Sequence, residues 1–74
     1  TISVSTVESE IAKLLGDVQK RFLRVEIGSY PFFESGKVGV SIVMRSTELK
    51  QIKDCTKQIL SFIKRKKIKI LKTG

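Results

Sequence analysis

The middle of the chain reads IGSYPFFESG over residues 27–36. This stretch holds the only proline, Pro31, and three of the five aromatic residues, Tyr30, Phe32 and Phe33. Turns are usually built from small polar residues, so large rings are unexpected in a connection between two strands. We interpret the stretch as a loop whose four large residues contact a partner rather than carry out chemistry.

A second interpretation of the same loop stays open. Phe32 and Phe33 would fold back over one end of a small core, and no partner would be needed. Pro31 stiffens the loop in either case, because its ring fixes the backbone angle φ.

Apolar residues on both sides of this loop alternate with other residues at a period of two, which predicts strands. The strands before and after the loop should pair as an antiparallel hairpin, with Gly36 at a positive φ in the connection. The same alternation appears near both ends of the chain. The four predicted strands contain, in order, Ile2 and Val4, Val25 and Ile27, residues 38–44, and Ile68 and Ile70.

Two amphipathic helices are predicted between these strands. Apolar residues recur at helical spacing over residues 6–22 and again over residues 49–63. Ser5 lies three residues before Glu8, the spacing of a capping box at the start of a helix. Ser46 offers a cap for the second helix.

The predicted order of elements is β-α-β-β-α-β. Right-handed crossovers then place the first and third strands in the centre of the sheet and both helices on one face. We therefore predict an α+β fold, a two-layer ferredoxin-like sandwich with a four-stranded sheet of order 4-1-3-2, over a single domain of residues 1–74. A KH-like arrangement of similar elements is the alternative.

Composition excludes several classes of protein. The chain has 74 residues, 41% of them hydrophobic, which is enough for one small core but not for a second domain or a large enclosed site. No apolar run approaches the roughly 20 residues of a membrane-spanning helix, and no signal-like segment begins the chain. One cysteine and no histidine leave no internal disulfide and no Cys/His zinc site. We expect a cytoplasmic protein without a metal ion.

No residue pattern predicts catalysis. The acidic residues of the first two thirds are scattered, whereas paired-carboxylate chemistry needs two carboxylates held close together in a cleft. Residues 36–39, GKVG, lack the spacing of a phosphate-binding loop and the helix that follows one. Cys55 and Met44 lie on predicted apolar faces and are interpreted as core residues. We therefore expect no enzymatic activity in this chain.

The net charge of +8 is concentrated toward the C-terminal end of the chain. Residues 48–74 contain nine Lys or Arg and only two Asp or Glu. Such a region either contacts an anion or is a solvated helix face. Ferredoxin-like RNA readers stack bases on aromatic residues of the sheet, and the predicted first and third strands have none. The candidate anion contacts are Lys50, Lys53, Lys57, Lys64, Arg65 and Lys66.

Three segments of the chain together resemble a known family. They are residues 7–15, residues 25–33, in which the phrase IGSYP is the most specific part, and residues 38–47. The chain resembles the C-terminal subdomain of the molybdopterin-binding-like module found in FAD synthases and CinA-type (competence-damage) proteins. The resemblance covers residues 2–63 and does not include the basic tail from Lys64 onward.

The resemblance implies an accessory subdomain cut from a larger protein. In that family the preceding subdomain carries the Gly- and Asp-rich nucleotide site, so no catalytic residue is carried over to this chain. The parent would be an enzyme of flavin or pyridine nucleotide metabolism, an FAD synthase-like nucleotidyltransferase or a nucleotide pyrophosphatase, using FAD, ATP and Mg²⁺. The aromatic loop would contact the adjacent catalytic subdomain or a second subunit. A small basic RNA- or anion-binding domain is the competing hypothesis.

Overall fold

The computed structural model describes residues 1–73. The elements are β1 (Ile2–Ser5), α1 (Glu8–Arg21), β2 (Glu26–Glu34), β3 (Lys37–Arg45), α2 (Leu49–Arg65) and β4 (Lys69–Thr73). The four strands form one sheet of order β2-β3-β1-β4, and every neighbouring pair is antiparallel. This is the predicted order read from the opposite edge, so the ferredoxin-like prediction is confirmed, whereas the KH-like alternative is not seen.

The core lies between the sheet and the two helices, which cover the same face. The central strands β1 and β3 contribute alternate apolar residues, and each helix contributes one apolar stripe. No polar or charged side chain is buried among the described residues. Fully burying an aliphatic side chain stabilises the fold by about 1.5–3 kcal/mol. The buried residues are Ile2, Val4, Ile11, Leu14, Leu15, Val18, Val25, Val40, Ile42, Cys55, Ile59 and Ile63.

The aromatic stretch is part of a strand, and its prediction as a loop is wrong. β2 continues through Glu34 and pairs with β3 in register from Glu26 opposite Arg45 to Glu34 opposite Lys37. The turn consists of two residues only, Ser35 and Gly36, with φ of 50° and 76°. Two positive φ values are typical of a type I′ turn, whose twist matches that of the strands. The positive φ predicted at Gly36 is confirmed, and aromatic residues favour the extended backbone that precedes it.

The side chain of Gln19 ties the end of α1 to the beginning of β2. Its Nε2 donates to the carbonyl oxygens of Phe22 and Val25, at 3.1 and 2.6 Å. Its Oε1 accepts a hydrogen bond from the N–H of Ile27 at 3.0 Å. One half-buried amide therefore satisfies three backbone groups where the chain leaves the helix and enters the edge of the sheet.

Pro31 fits β2 because this strand lies at the edge of the sheet. The N–H of Ile27 points away from β3, since it donates to Gln19 and not to the ladder. Backbone N–H directions alternate along an antiparallel strand, so the nitrogen of Pro31, four residues further on, also points away from β3. Because Pro31 would not donate to β3 in any case, its lack of an N–H costs the β2–β3 ladder no hydrogen bond.

Two glycines on the sheet leave room for aromatic rings. Phe32 lies directly opposite Gly39, and its ring covers the space that a side chain at Gly39 would occupy. A Cβ built on Gly39 would lie 2.9 Å from Cε1 of Phe32 and 2.8 Å from the carbonyl oxygen of Val4. A Cβ built on Gly28 would lie 3.2 Å from the Tyr30 ring. The two rings thus lie across the sheet instead of standing away from it.

The helix ends differ from the predicted caps. Val7 is the N-cap of α1 and makes no side-chain cap bond, so the capping box predicted from Ser5 and Glu8 is wrong. The carboxylate of Glu8 instead accepts a hydrogen bond from Ser29 Oγ at 3.0 Å. Likewise Ser46 Oγ accepts from the N–H of Glu48, two residues on, but does not cap α2.

The two ends of α2 show features that the apolar spacing of the helix did not predict. Leu49, predicted as buried, is 74% exposed, because the helix begins at this residue and its first turn extends past the core. At the other end Lys67 has a φ of 57°, and the N–H of Ile68 donates to the carbonyl of Ile63. This is the Schellman pattern of a helix end, and it turns the chain back into β4.

We expect one substitution to have opposite effects at two glycines. Gly39→Ala should lower the free energy of unfolding by about 1–3 kcal/mol, because the new methyl group meets a backbone carbonyl. Gly16 is exposed on α1 with no atom within 4 Å of an added Cβ, so Gly16→Ala should raise stability by about 1 kcal/mol. Urea unfolding of both variants measures the two changes. A neutral Gly39→Ala would contradict this packing.

The three hydrogen bonds of Gln19 predict a second effect on stability. Gln19→Ala should cost about 1–3 kcal/mol, because it leaves partly buried backbone groups without partners. Gln58→Ala is the matched control, since Gln58 makes one exposed hydrogen bond to Arg21 and should change stability by less than about 0.5 kcal/mol. Thermal unfolding of the two variants compares them; equal losses would show that the Gln19 bonds have no special role.

Candidate functional site

The open face of the sheet is the side that no helix covers. Residues directly opposite each other in an antiparallel pair share a face, so this face can be read from the register. Its centre is small: Ser3 Oγ and Ser41 Oγ form a hydrogen bond of 3.2 Å across β1 and β3. Ser3, Ser41, Val43 and Arg45 all occupy this face by register.

Tyr30 and Phe32 also lie on the open face, which the sequence interpretation missed. Tyr30 is opposite Ser41 and is 55% exposed, whereas Phe32 is half-buried over Gly39. The first and third strands contribute no aromatic residue to this face, and both rings come from β2. The sequence does contain a signal for this position. Side chains alternate along a strand, and counting in steps of two from the inward-facing Ile27 leaves Tyr30 and Phe32 on the open face.

The four residues predicted to contact a partner do not form one surface. Pro31 and Phe33 pair with Val40 and Val38, so both face the helix side of the sheet. Phe33 is 70% exposed there, because the hairpin extends beyond the cover of the helices. Alternation along β2 thus separates Tyr30 and Phe32 from Pro31 and Phe33.

Both edges of the sheet resist pairing with another strand. On β2 the outward N–H of Ile27 is occupied by Gln19, and Pro31 has none to offer. On β4, Lys69 and Lys72 lie opposite Ser5 and Ser3, and charged edge residues oppose strand addition. These lysines share the open face with the two aromatic residues, at its opposite margin.

The six predicted anion contacts are spread along α2 and its end. Lys50, Lys53, Lys57 and Lys64 are exposed on the side turned away from the buried stripe. Arg65 lies 5.9 Å from the centre of the Phe62 ring, and Lys66 Nζ donates to the carbonyl of Glu10 at 3.5 Å. The structure adds Arg21 of α1, whose guanidinium lies 5.8 Å from the same ring. Sequence spacing within α2 could not indicate Arg21, because the contact joins two helices.

Within residues 1–73, no three His, Cys, Asp or Glu side chains lie close enough together to hold a metal ion. Cys55 is fully buried, as predicted, and burial raises the pKa of its thiol. Because the thiolate is the reactive form, this cysteine is a packing residue. Across the same residues, no helix combines the length and the apolar character that crossing a bilayer requires.

These features define a small ferredoxin-like α+β domain with one open sheet face and a basic helix layer. The sequence model of the family described as FAD synthase, middle domain, matches residues 1–72, and the chain belongs to that family. The match includes residues 64–72, so the family's sequence model extends beyond residue 63, where the resemblance seen in the sequence ended, and covers most of β4. Comparisons with curated proteins and with solved structures gave no significant match.

Burial of Cys55 predicts a slow reaction with thiol reagents. Iodoacetamide at pH 8 should label the folded chain many times more slowly than the urea-unfolded chain, because both access and thiolate formation are suppressed. Cys55→Ser should also lower stability by about 1–3 kcal/mol, since the buried hydroxyl would need a hydrogen-bond partner. Mass spectrometry follows the labelling, and equal rates in both states would contradict this placement.

Proposed function

We propose that this chain is a non-catalytic accessory domain of an FAD synthase-related protein and that it docks on the neighbouring catalytic domain through the open face of its sheet. The observation that carries the proposal is the pair Tyr30 and Phe32 on a sheet face without a covering helix. Aromatic residues are enriched at protein interfaces. Small residues beside them leave the surface flat enough for close approach.

The face, and not an edge, is the proposed contact. Strand addition needs a free row of backbone N–H and C=O groups. Gln19 and Pro31 interrupt that row on β2, and lysines flank it on β4. A partner would therefore pack its side chains on Tyr30, Phe32 and Val43.

The proposed occupant is another domain of the same protein. The family description calls this a middle domain, which implies parts of the protein on either side of it. The flanking catalytic domain is therefore the first candidate for the open face, and a second subunit is the alternative outcome of the test. Phe33, on the other side of the hairpin, supports an additional contact near the turn.

We assign FAD, ATP and Mg²⁺ to other parts of the parent protein. The acidic residues of the described chain do not converge on a cation; Gly36 forms the turn of the hairpin, and Gly28 and Gly39 leave room for rings. A cytoplasmic location and a relation to molybdopterin-binding-like and CinA-type modules are part of the same proposal. The parent activity would be nucleotidyl transfer or pyrophosphate hydrolysis in flavin metabolism.

Photocrosslinking in the full-length parent protein tests the docking surface. Tyr30 replaced by p-benzoylphenylalanine should crosslink to another domain of the parent, because its side chain would lie inside the contact. Leu23 is the matched control: it is 85% exposed and lies outside the open face, between α1 and β2. The same probe at Leu23 should give less than a tenth of that yield.

The identity of the crosslinked product separates the alternatives. A product joining two copies of the protein would assign the face to a subunit interface, against docking within one chain. Equal yields from positions 30 and 23, or no protein product at either, would overturn the proposal. Peptide mapping by mass spectrometry identifies the partner residue.

RNA binding is the second candidate function, and one observation favours it. Tyr30, Phe32, Lys69 and Lys72 share the open face, so stacking rings and phosphate-binding cations occur on the same side. An RNA on this face would crosslink to the probe at position 30, and its affinity would fall steeply with salt. Tyr30→Ser would then weaken RNA binding, whereas under the docking proposal it leaves any RNA binding unchanged.

A further inference from the structure

The outer surface of the helix layer contains a groove that the docking proposal does not use. α1 and α2 run antiparallel, with Arg21 Nη1 donating to Gln58 Oε1 at 3.2 Å near one end and Lys66 bonded to Glu10 at the other. A groove of about 620 Å³ lies beside the first of these contacts. Its walls are Arg21, Phe22, Asp54, Lys57, Gln58, Ser61, Phe62 and Arg65.

Phe62 positions two guanidinium groups in this groove. Its ring is half-buried and packs against the core, so its place is fixed by the fold. The guanidinium carbons of Arg21 and Arg65 lie 5.8 and 5.9 Å from the ring centre, within the range of cation–π attraction. The hydrogen bond from Arg21 to Gln58 adds a second restraint. Both cations thus lie around one ring whose position the fold sets.

The groove carries more positive than negative charge. Arg21, Lys57 and Arg65 line it, against a single carboxylate, Asp54. Within residues 1–73 the only ion pair joins Arg24 to Glu48, so none of the three groove cations has a carboxylate within 4 Å. Like charges repel, and an anion placed between them would relieve that repulsion.

We propose that this groove binds a small phosphate-bearing molecule. Guanidinium groups bind phosphate oxygens with paired, charge-assisted hydrogen bonds, and Ser61 and Gln58 supply further polar groups at the wall. The groove volume lies within the range of small-molecule sites. The ring of Phe62 serves to hold the arginines and not to stack a base.

A small ligand fits this groove better than a nucleic acid. An RNA that stacked on Tyr30 and Phe32 would lie on the opposite side of the sheet from Arg21 and Arg65. A smaller pocket of about 330 Å³ shares Phe62 and Arg65 with the groove and extends along the other half of the α1–α2 contact. The open face and the groove are therefore independent surfaces, and each can be tested without the other.

Titration with inorganic pyrophosphate tests the site. Amide resonances of the ¹⁵N-labelled chain should shift at residues 21, 57, 62 and 65 at low ionic strength. Arg21→Gln and Arg65→Gln should each weaken binding at least fivefold. Lys64→Gln removes the same charge from the residue next to Arg65 but does not line the groove, so it should weaken binding less than twofold.

One further variant separates a loss of pyrophosphate binding from a loss of folding. Phe62→Leu keeps an apolar side chain but removes the ring, and it should also weaken pyrophosphate binding while the amide spectrum stays dispersed. Equal losses for Lys64→Gln and Arg65→Gln, no shift at millimolar pyrophosphate, or an RNA oligomer displacing pyrophosphate at lower concentration would each overturn the proposal. Crosslinking at position 30 is unaffected by these outcomes, so the docking proposal stands or fails separately.

Discussion

The register of the β2–β3 hairpin decides which surface each large side chain joins. The two-residue turn at Ser35 and Gly36 sets Glu34 opposite Lys37, and every pair behind it follows. Because strand side chains alternate, a slip of one residue would exchange the two faces. Tyr30 and Phe32 would then face the helices, and Phe33 the open side. The same register brings Phe32 onto Gly39, the one position at which its ring can lie flat.

The core lies on one side of the sheet only, and this leaves the opposite face of the sheet open. The helices cover a single face of the sheet, and every buried side chain there is apolar. The opposite face therefore carries whatever the alternate positions supply, from serines and glycines at the centre to lysines at the β4 margin. Gln19 and Pro31 close the β2 edge without adding a further element, so this edge does not favour the addition of another strand.

The helix layer contributes both to the stability of the fold and to the groove beside α1 and α2. Phe62 packs against the core on one side and meets Arg21 and Arg65 on the other. The geometry of the cationic groove is consequently set by the same packing that holds α1 against α2. Family membership identifies the chain as a domain of an FAD synthase-related protein, and this chain's own residues form both the open face and the groove.

The element order, the strand order and most of the apolar core follow from the amino-acid sequence alone, because periods of two and of about 3.6 residues record which side chains are buried. The positive φ at Gly36 and the family could also be predicted from it. That Pro31 and its aromatic neighbours form a strand became clear from the sheet, since an edge strand tolerates proline where its outward groups need no partner. The convergence of Arg21 and Arg65 on Phe62 was likewise beyond the sequence, because it depends on how two helices pack and not on spacing within either one.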